Sequence, residues 1–285
     1  MTPSTSPAFG RQAHLPQPLL PSAGKLTSLT PSSSSILKVS IITVSFNSAQ
    51  TIGDTLKSVA AQLYPHIEHI IVDGGSTDQT MNIVANFPHV AKSISEADEG
   101  IYFAMNKGLA MASGDVIGIL NADDLYADDE VIAKVAAVFE DPAADATYAD
   151  LVFVDREDVS KIVRTWKSGL FKRSSMYNGW MPPHPTFFLR KSIYERYGMF
   201  NTSLRSAADY ELMLRLLLRY KINPSYLPET IIRMRQGGKS TASINNRIKA
   251  NLEDRKAWKI NGLKPHLFTL ILKPFRKIKQ FISHG

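Results

Sequence analysis

With 285 residues, 44% of them hydrophobic and 21% charged, the chain is long enough to bury one substantial core and to carry appendages. It has no cysteine, which excludes a disulfide framework, a thiolate metal site and a cysteine nucleophile, and leaves oxygen or imidazole to hold any metal. A formal charge of +7 points to an anionic partner, whether nucleic acid, acidic lipid or a phosphorylated substrate. No apolar run approaches the roughly 18 residues that cross a bilayer, and no uninterrupted apolar secretory signal opens the sequence. The expectation is a soluble or peripheral protein of the reducing cytoplasm.

Residues 1–36 are rich in Ser, Pro and Thr and read as disordered, and Arg11 and Lys25 are too few to make a transit peptide of them. Order begins with a β-branched run at 39–44, a buried strand, followed by a helix over 51–63 with Ile52, Leu56, Val59 and Leu63 on one face. A strand at 68–72 stops at Asp73-Gly74-Gly75-Ser76, and Asp78 stands where the next helix starts. A strand at 91–95, a helix over 102–111 and an apolar strand at 116–120 repeat the pattern, the last ending in Asn121-Ala122-Asp123-Asp124. Such alternation predicts an α/β fold, a mostly parallel sheet flanked by helices, with the ligand crevice at the carboxyl ends of the strands. Further strands are expected at 146–154 and 186–189, and an amphipathic helix at 207–220.

Three polar clusters fall at strand ends. Asp123 and Asp124 are hard oxygen ligands suited to Mg²⁺ or Mn²⁺ shared with a substrate diphosphate, or else caps of a helix beginning near Ala127. Asp73 sits on a glycine-bearing turn and can accept hydrogen bonds from a base or ribose, although a plain strand-to-helix turn has the same composition. The stretch 95–108 is a dense acidic loop, with Glu96, Asp98 and Glu99, running into a helix that bears Asn106 and Lys107, and it suits a donor sugar. Further on, Trp180 can stack on an acceptor sugar and His184 can touch metal or phosphate, although a histidine between prolines is commonly structural. Arg233 and Arg235 either approach a diphosphate or solvate the surface.

These clusters, in register with Val39-Ser40-Ile41-Ile42-Thr43-Val44-Ser45-Phe46-Asn47 and with Ala208-Asp209-Tyr210-Glu211-Leu212, resemble glycosyltransferase family 2, inverting enzymes of the GT-A fold. The likeness spans roughly residues 38–234 and is strongest to the polysaccharide-assembly branch. It implies a GT-A catalytic domain at 37–236 and a nucleotide-sugar site. Thr43, Val44, Phe46 and Asp73 would hold the nucleotide, with Glu96, Asp98, Asn106, Lys107, Asn121 and Ala122 completing the donor pocket. Asp123, with Asp124 beside it, would bind Mn²⁺ or Mg²⁺, and Asp209 would take the acceptor's proton. Ser206 to Asp209 also fits a helix capping box. Three departures stand out: Gly74 and Asn121 replace aspartates common in the family, and Met105 replaces an arginine, leaving Lys107 as a phosphate contact. The implied donor is a UDP-sugar, with GDP- or dTDP-sugars as alternatives, and the acceptor a saccharide or a polyprenyl-linked one.

Residues 237–285 form a basic, helical extension in which 264–281 combines apolar residues with five cations and no acid. It suits an anionic membrane surface at the inner face of the cell membrane, or a helix docked on the catalytic domain and bent at Pro274. A non-catalytic nucleotide-sugar-binding protein of the same fold is the main alternative. A nucleotidyltransferase would show a Gly-rich basic loop after the first strand, a dinucleotide enzyme G-x-G-x-x-G, and a nucleic-acid binder a recognisable module. None of these is present in the sequence.

Overall fold

The computed structural model describes residues 36–237, 244–266 and 269. The segment read as disordered, up to Ser35, and the tail stretch 267–281 apart from Thr269 lie outside the described residues. In chain order the elements are β1 (Val39–Ser45), α1 (Ile52–Ala60), β2 (Ile67–Asp73), α2 (Thr80–Val84), β3 (Val90–Ser95), α3 (Ile101–Met111), β4 (Val116–Ile119) and β5 (Asp124–Tyr126). They continue with α4 (Val131–Val138), β6 (Ala146–Val154), β7 (Ile162–Trp166), α5 (Arg173–Tyr177), β8 (Phe188–Arg190), α6 (Lys191–Tyr197), α7 (Ala208–Leu214), β9 (Pro224–Arg235) and α8 (Ile244–Ile260).

One sheet runs β3-β2-β1-β4-β8-β6-β9-β5, with β7 added at β6. Strands β3, β2, β1 and β4 are mutually parallel, β8 is antiparallel to both β4 and β6, and β9 runs parallel to β6. Every residue of β1 is buried, which explains why apolar residues point to both faces: Ile42 and Val44 pack with Tyr102, Met105 and Leu109, while Val39 and Ile41 pack with Val131, Ile132 and Val135. Each such side chain contributes roughly 1.5–3 kcal/mol relative to exposure. On β4, a Cβ at Gly118 would lie 2.2 Å from Cε1 of buried Phe188, so only glycine lets β4 and β8 approach this closely.

The expected α/β order is present, with local differences. The helix expected from Ala127 begins at Val131, because Asp124–Tyr126 pairs with β9 (Asp124 opposite Met234, Tyr126 opposite Ile232) and Asp124 is therefore a strand residue and not a helix cap. The strand expected at 186–189 forms as β8, two residues later, because Thr186 closes a 3₁₀ turn over His184–Thr186 by donating its N–H to the Pro183 carbonyl. The helix expected at 207–220 is α7 followed by a π turn over Arg215–Arg219.

The carboxyl ends of β1, β2 and β3 are joined by one side chain. Asp73 is fully buried, and its register partners on the neighbouring strands are Ser45 and Ser95. Its Oδ1 accepts from Ser45 Oγ (2.9 Å) and Ser76 Oγ (2.5 Å), and its Oδ2 from Gly75 N (3.1 Å), Ser76 N (2.8 Å) and Ser95 Oγ (2.7 Å). Those donors saturate the carboxylate, so the direct base or ribose contact expected of Asp73 is corrected: it builds the loop that a ligand would meet. Burial pushes its pKa up, but the hydrogen bonds from Ser76, Ser95 and Ser45 outweigh this and hold it below the ordinary value.

Two stability predictions follow from this packing. Gly118→Ala is expected to destabilise the fold by about 1–3 kcal/mol, read from the urea midpoint, because the methyl group overpacks against Phe188. Asp73→Asn turns an amide donor toward the donors around it and is expected to cost roughly 2–3 kcal/mol. Because the folded pKa of Asp73 is depressed, its contribution is complete above the unfolded value near ~4 and is lost as pH falls through the folded one. A urea series from neutral to acid pH should therefore show a shallower acid loss in the variant than in the wild type.

Candidate active site

The loops that follow β1, β2, β3 and β4 open on the same edge of the parallel sheet, where side chains from separate segments can meet one ligand. The first two are stitched together. Asn47, in the left-handed region at φ 49°, donates its N–H to Ser76 Oγ and accepts from Thr77 N, while Asp78 accepts from Ala49 N and from Thr80 N. Of the residues expected to touch nucleotide here, Thr43 and Val44 turn their side chains into the core, Thr43 bonding His69 Nε2 at 2.9 Å. Their side chains belong to the core, which leaves only their backbone groups to meet a nucleotide. Phe46 is half exposed at the rim.

The loop after β4 holds two unlike carboxylates. Asp124 is buried, accepts from Asn121 Nδ2 at 2.9 Å through Oδ2, and leaves Oδ1 without a partner; the Asn121 Oδ1 is likewise unpartnered. Burial first, and then the charge of Asp123, push the Asp124 pKa up to about 8. Asp123 is half-buried, and its carboxylate has no hydrogen bond or ion pair among the described residues. An orphaned buried oxygen behind an unpaired carboxylate fits a hard divalent cation whose remaining ligands come from a substrate diphosphate and water. Among the described residues no group of three or more His, Asp or Glu makes a self-sufficient metal cage. Ala122 is buried beside Ile52 and Leu56, so its side chain is corrected to core.

Arg235 braces this loop. It is 5% exposed, and its guanidinium donates to the Asp123 carbonyl (3.1 Å), the Arg156 carbonyl (3.2 Å) and Asp54 Oδ2 (2.6 Å). Neither a solvating nor a diphosphate role is open to it. Arg233 donates to the Val159 carbonyl at 3.3 Å.

The acidic loop after β3 presents Asp98, whose Oδ1 accepts from Gly100 N and whose Oδ2 lies 3.1 Å from where a Cβ on Gly74 would stand, with Phe46 Cδ2 3.5 Å from the same point. Glu96 is ion-paired with Lys107 at 2.8 Å, so the ammonium expected to meet a phosphate already has a partner. Asn106 is corrected outright: its amide donates to the Phe200 carbonyl (2.9 Å) and accepts from Phe200 N (3.0 Å), which spends both ends on the backbone.

Asp209 lies in the first turn of α7, half-buried, and accepts from the Tyr102 hydroxyl at 2.9 Å. Burial, then the Asp209 charge, raise the Tyr102 pKa, so the phenol remains a donor. Tyr102 stacks on Phe200 (centroids 5.7 Å apart) and His184 meets the same ring edge-on at 5.6 Å, which gathers α3, the 3₁₀ turn and α7 around one carboxylate. Burial holds His184 below the ordinary histidine pKa, with the Asp209 charge acting in the opposite sense. Tyr102 is four residues beyond Asp98, so this cluster adjoins the acidic loop. Sequence reasoning missed Tyr102 and Phe200; the only signal was that Tyr102 and Asn106 share a face of α3.

Two other expectations change. Trp180, partly buried, donates to the Ser168 carbonyl (2.8 Å) and packs against Tyr148 and Phe171, which fixes the indole in the fold. The capping box at Ser206 is not formed: the hydroxyl donates to Glu253 Oε2 at 2.7 Å, and the N-cap of α7 is Ala207 without a side-chain cap.

Comparison with known proteins agrees with this geometry. Residues 40–198 match the family described as Glycosyl transferase family 2. An uncharacterised glycosyltransferase of Mycobacterium tuberculosis is 33% identical over 183 residues, 63% of this chain and 69% of that protein. A PGL/p-HBAD biosynthesis glycosyltransferase of Mycobacterium bovis is 30% identical over 188 residues, 62% of this chain and 68% of its own length. Among solved structures, the mannosyltransferase PcManGT of Pyrobaculum calidifontis, in complex with GDP-Man and Mn²⁺, superposes with a TM-score of 0.61 at 19% identity over 85% of this chain and 70% of that one. TarS of S. aureus does so with a TM-score of 0.60 at 19% identity, covering 87% of this chain and 44% of the longer TarS chain. With the family matched over more than half its length and the fold shared with these transferases, the chain belongs to glycosyl transferase family 2 and is a glycosyltransferase of the GT-A fold.

Proposed function

We propose that the protein transfers a sugar, with inversion, from a nucleotide-diphospho-sugar to a hydroxyl of a saccharide or polyprenyl-linked acceptor in cell-surface polysaccharide synthesis, on the cytoplasmic side. The observation that carries this reading is the Tyr102–Asp209 pair beside the acidic loop: a half-buried carboxylate held by a phenol at the ligand edge of the sheet. A sugar hydroxyl is a weak nucleophile, and a carboxylate within hydrogen-bond reach accepts its proton as the anomeric bond to diphosphate breaks. Tyr102 occupies Oδ1 and so leaves Oδ2 for the acceptor. Burial disfavours the charged form of His184, although the Asp209 charge acts in the opposite sense.

The donor lies between the rim of Phe46, Gly74 and Asp98 and the loop of Asn121 and Asp123. Asp123, with Asp124 behind it, would hold a Mn²⁺ or Mg²⁺ ion, which would supply positive charge against a leaving diphosphate. The structural neighbours include complexes with UDP-GlcNAc and with GDP-Man and Mn²⁺, which supports a nucleotide-sugar donor, UDP-linked in our reading.

The test is a thermal-shift and hydrolysis screen of UDP-, GDP- and dTDP-sugars with and without Mn²⁺. One nucleotide class should stabilise the wild type in a metal-dependent way, and Asp123→Ala should lose that shift. Asp209→Asn should keep it while donor turnover falls by about 10²–10⁴. Tyr102→Phe is expected to lower kcat about tenfold with the donor KM unchanged, the signature of a group that orients the base. Stabilisation by a nucleotide sugar without turnover in any preparation would instead identify a binding protein that retains the fold.

A further inference from the structure

The positive charge of the chain is concentrated in one segment. Residues 255–285 contain eight Lys and Arg and no Asp or Glu, whereas residues 1–254 contain 25 basic and 26 acidic side chains, so the body of the protein is nearly neutral. Helix α8 carries the start of that basic segment on a framework anchored to the catalytic body. Its inward side is committed to α7 and the loop before it: Trp258 is fully buried and donates to the Tyr210 hydroxyl (2.9 Å), Asn261 donates to Glu211 Oε1 (3.1 Å), and Glu253 accepts from Arg205 N and Ser206 N.

The outward side is different in kind. Leu252, Arg255, Lys259 and Ile260 fall at helical spacing on one stripe, with Leu252 60% and Ile260 38% exposed. Beyond the turn at Gly262, Lys264 and Pro265 are exposed as well, and Arg255, Lys259 and Lys264 line a surface cleft of 290 Å³ together with Leu263 and Pro265. None of these three cations has an acidic partner among the described residues. Like charges gathered around exposed apolar groups match a surface that offers phosphates at one depth and hydrocarbon just below.

We infer that the outward face of α8, with Lys264, seats the protein on an anionic lipid bilayer. A nucleic-acid backbone would satisfy the cations but would give Leu252 and Ile260 nothing apolar to bury against. The sequence that follows keeps the same character, with Phe275, Ile278 and Phe281 set among Lys273, Arg276, Lys277 and Lys279. The inference stands apart from the sugar-transfer reading, because none of these residues belongs to the proposed donor or acceptor site.

Co-sedimentation of the full chain with extruded vesicles tests it, comparing phosphatidylcholine alone with a mixture containing about 30% phosphatidylglycerol in about 0.1 M NaCl. Binding should require the anionic lipid and weaken as salt is raised. Arg255→Gln/Lys259→Gln should lower the partition coefficient roughly 30-fold, the factor that follows from about 1 kcal/mol per cation, and Leu252→Ser should lower it independently. Circular dichroism of both variants should match the wild type, since these side chains are exposed. Failure to bind anionic vesicles, equal binding to phosphatidylcholine, or wild-type binding by the double variant would overturn the inference. So would displacement from the vesicles by duplex RNA at equal phosphate concentration, which would mark a nucleic-acid surface.

Discussion

A single buried carboxylate sets the geometry on which the rest of this site depends. Asp73, the last residue of β2, takes five donors from β1, from β3 and from the loop that follows it, so three strand ends are tied at one level. A charge that far from solvent persists only because the donors replace its hydration, and the same donors fix the path of the backbone. With the Asp73 side chain spent inward, the crevice wall beside it is formed by Gly74, which has no side chain, and by Asp98, brought in from the acidic loop. The rim is thus assembled from residues 24 positions apart on the strength of an interaction that never faces it.

The pattern extends around the site. Arg235 spans the Asp123 carbonyl, the Arg156 carbonyl and Asp54; Asn106 closes on both backbone groups of Phe200; Arg215 bridges Glu211 to the carbonyls of Tyr197, Gly198 and Met199. Polar residues near a ligand crevice fall into two populations, those that hold loops and those left to meet a substrate. Asp123, Asp98 Oδ2 and the second oxygen of Asp209 make no such structural hydrogen bond among the described residues. Preorganisation of this kind removes the cost of ordering the loops when the donor arrives.

Much of this was legible in the sequence, for definable reasons. Strands β1, β2 and β4 are buried on both faces and therefore appear as Val- and Ile-rich stretches without alternation, and the polar clusters at their ends follow from parallel topology. What sequence could not show was which polar group faces inward. Asp123 and Asp124 are adjacent and chemically identical, and only the pairing of Asp124–Tyr126 with β9, more than 100 residues away, buries one fully and leaves the other half-buried. Trp180, Thr43 and Asn106 were read as ligand contacts from type and position, yet each is consumed by a partner distant in sequence. The supposed cap Ser206 failed for the same reason, since a local motif was overridden by a carboxylate from α8.

That carboxylate has a consequence for the order in which the molecule is completed. Glu253 satisfies N–H groups at the entry to α7 that no residue near them in sequence satisfies, and it lies 48 positions after Arg205. A growing chain emerges from its amino end, so the strand ends tied by Asp73 have their donors while α7 still lacks the group that secures its start. The helix carrying Asp209 is finished last, by the same segment whose other face bears the basic charge. The nascent protein thus passes through a stage at which the strand ends tied by Asp73 have all their donors and the entry to α7 does not yet have its acceptor.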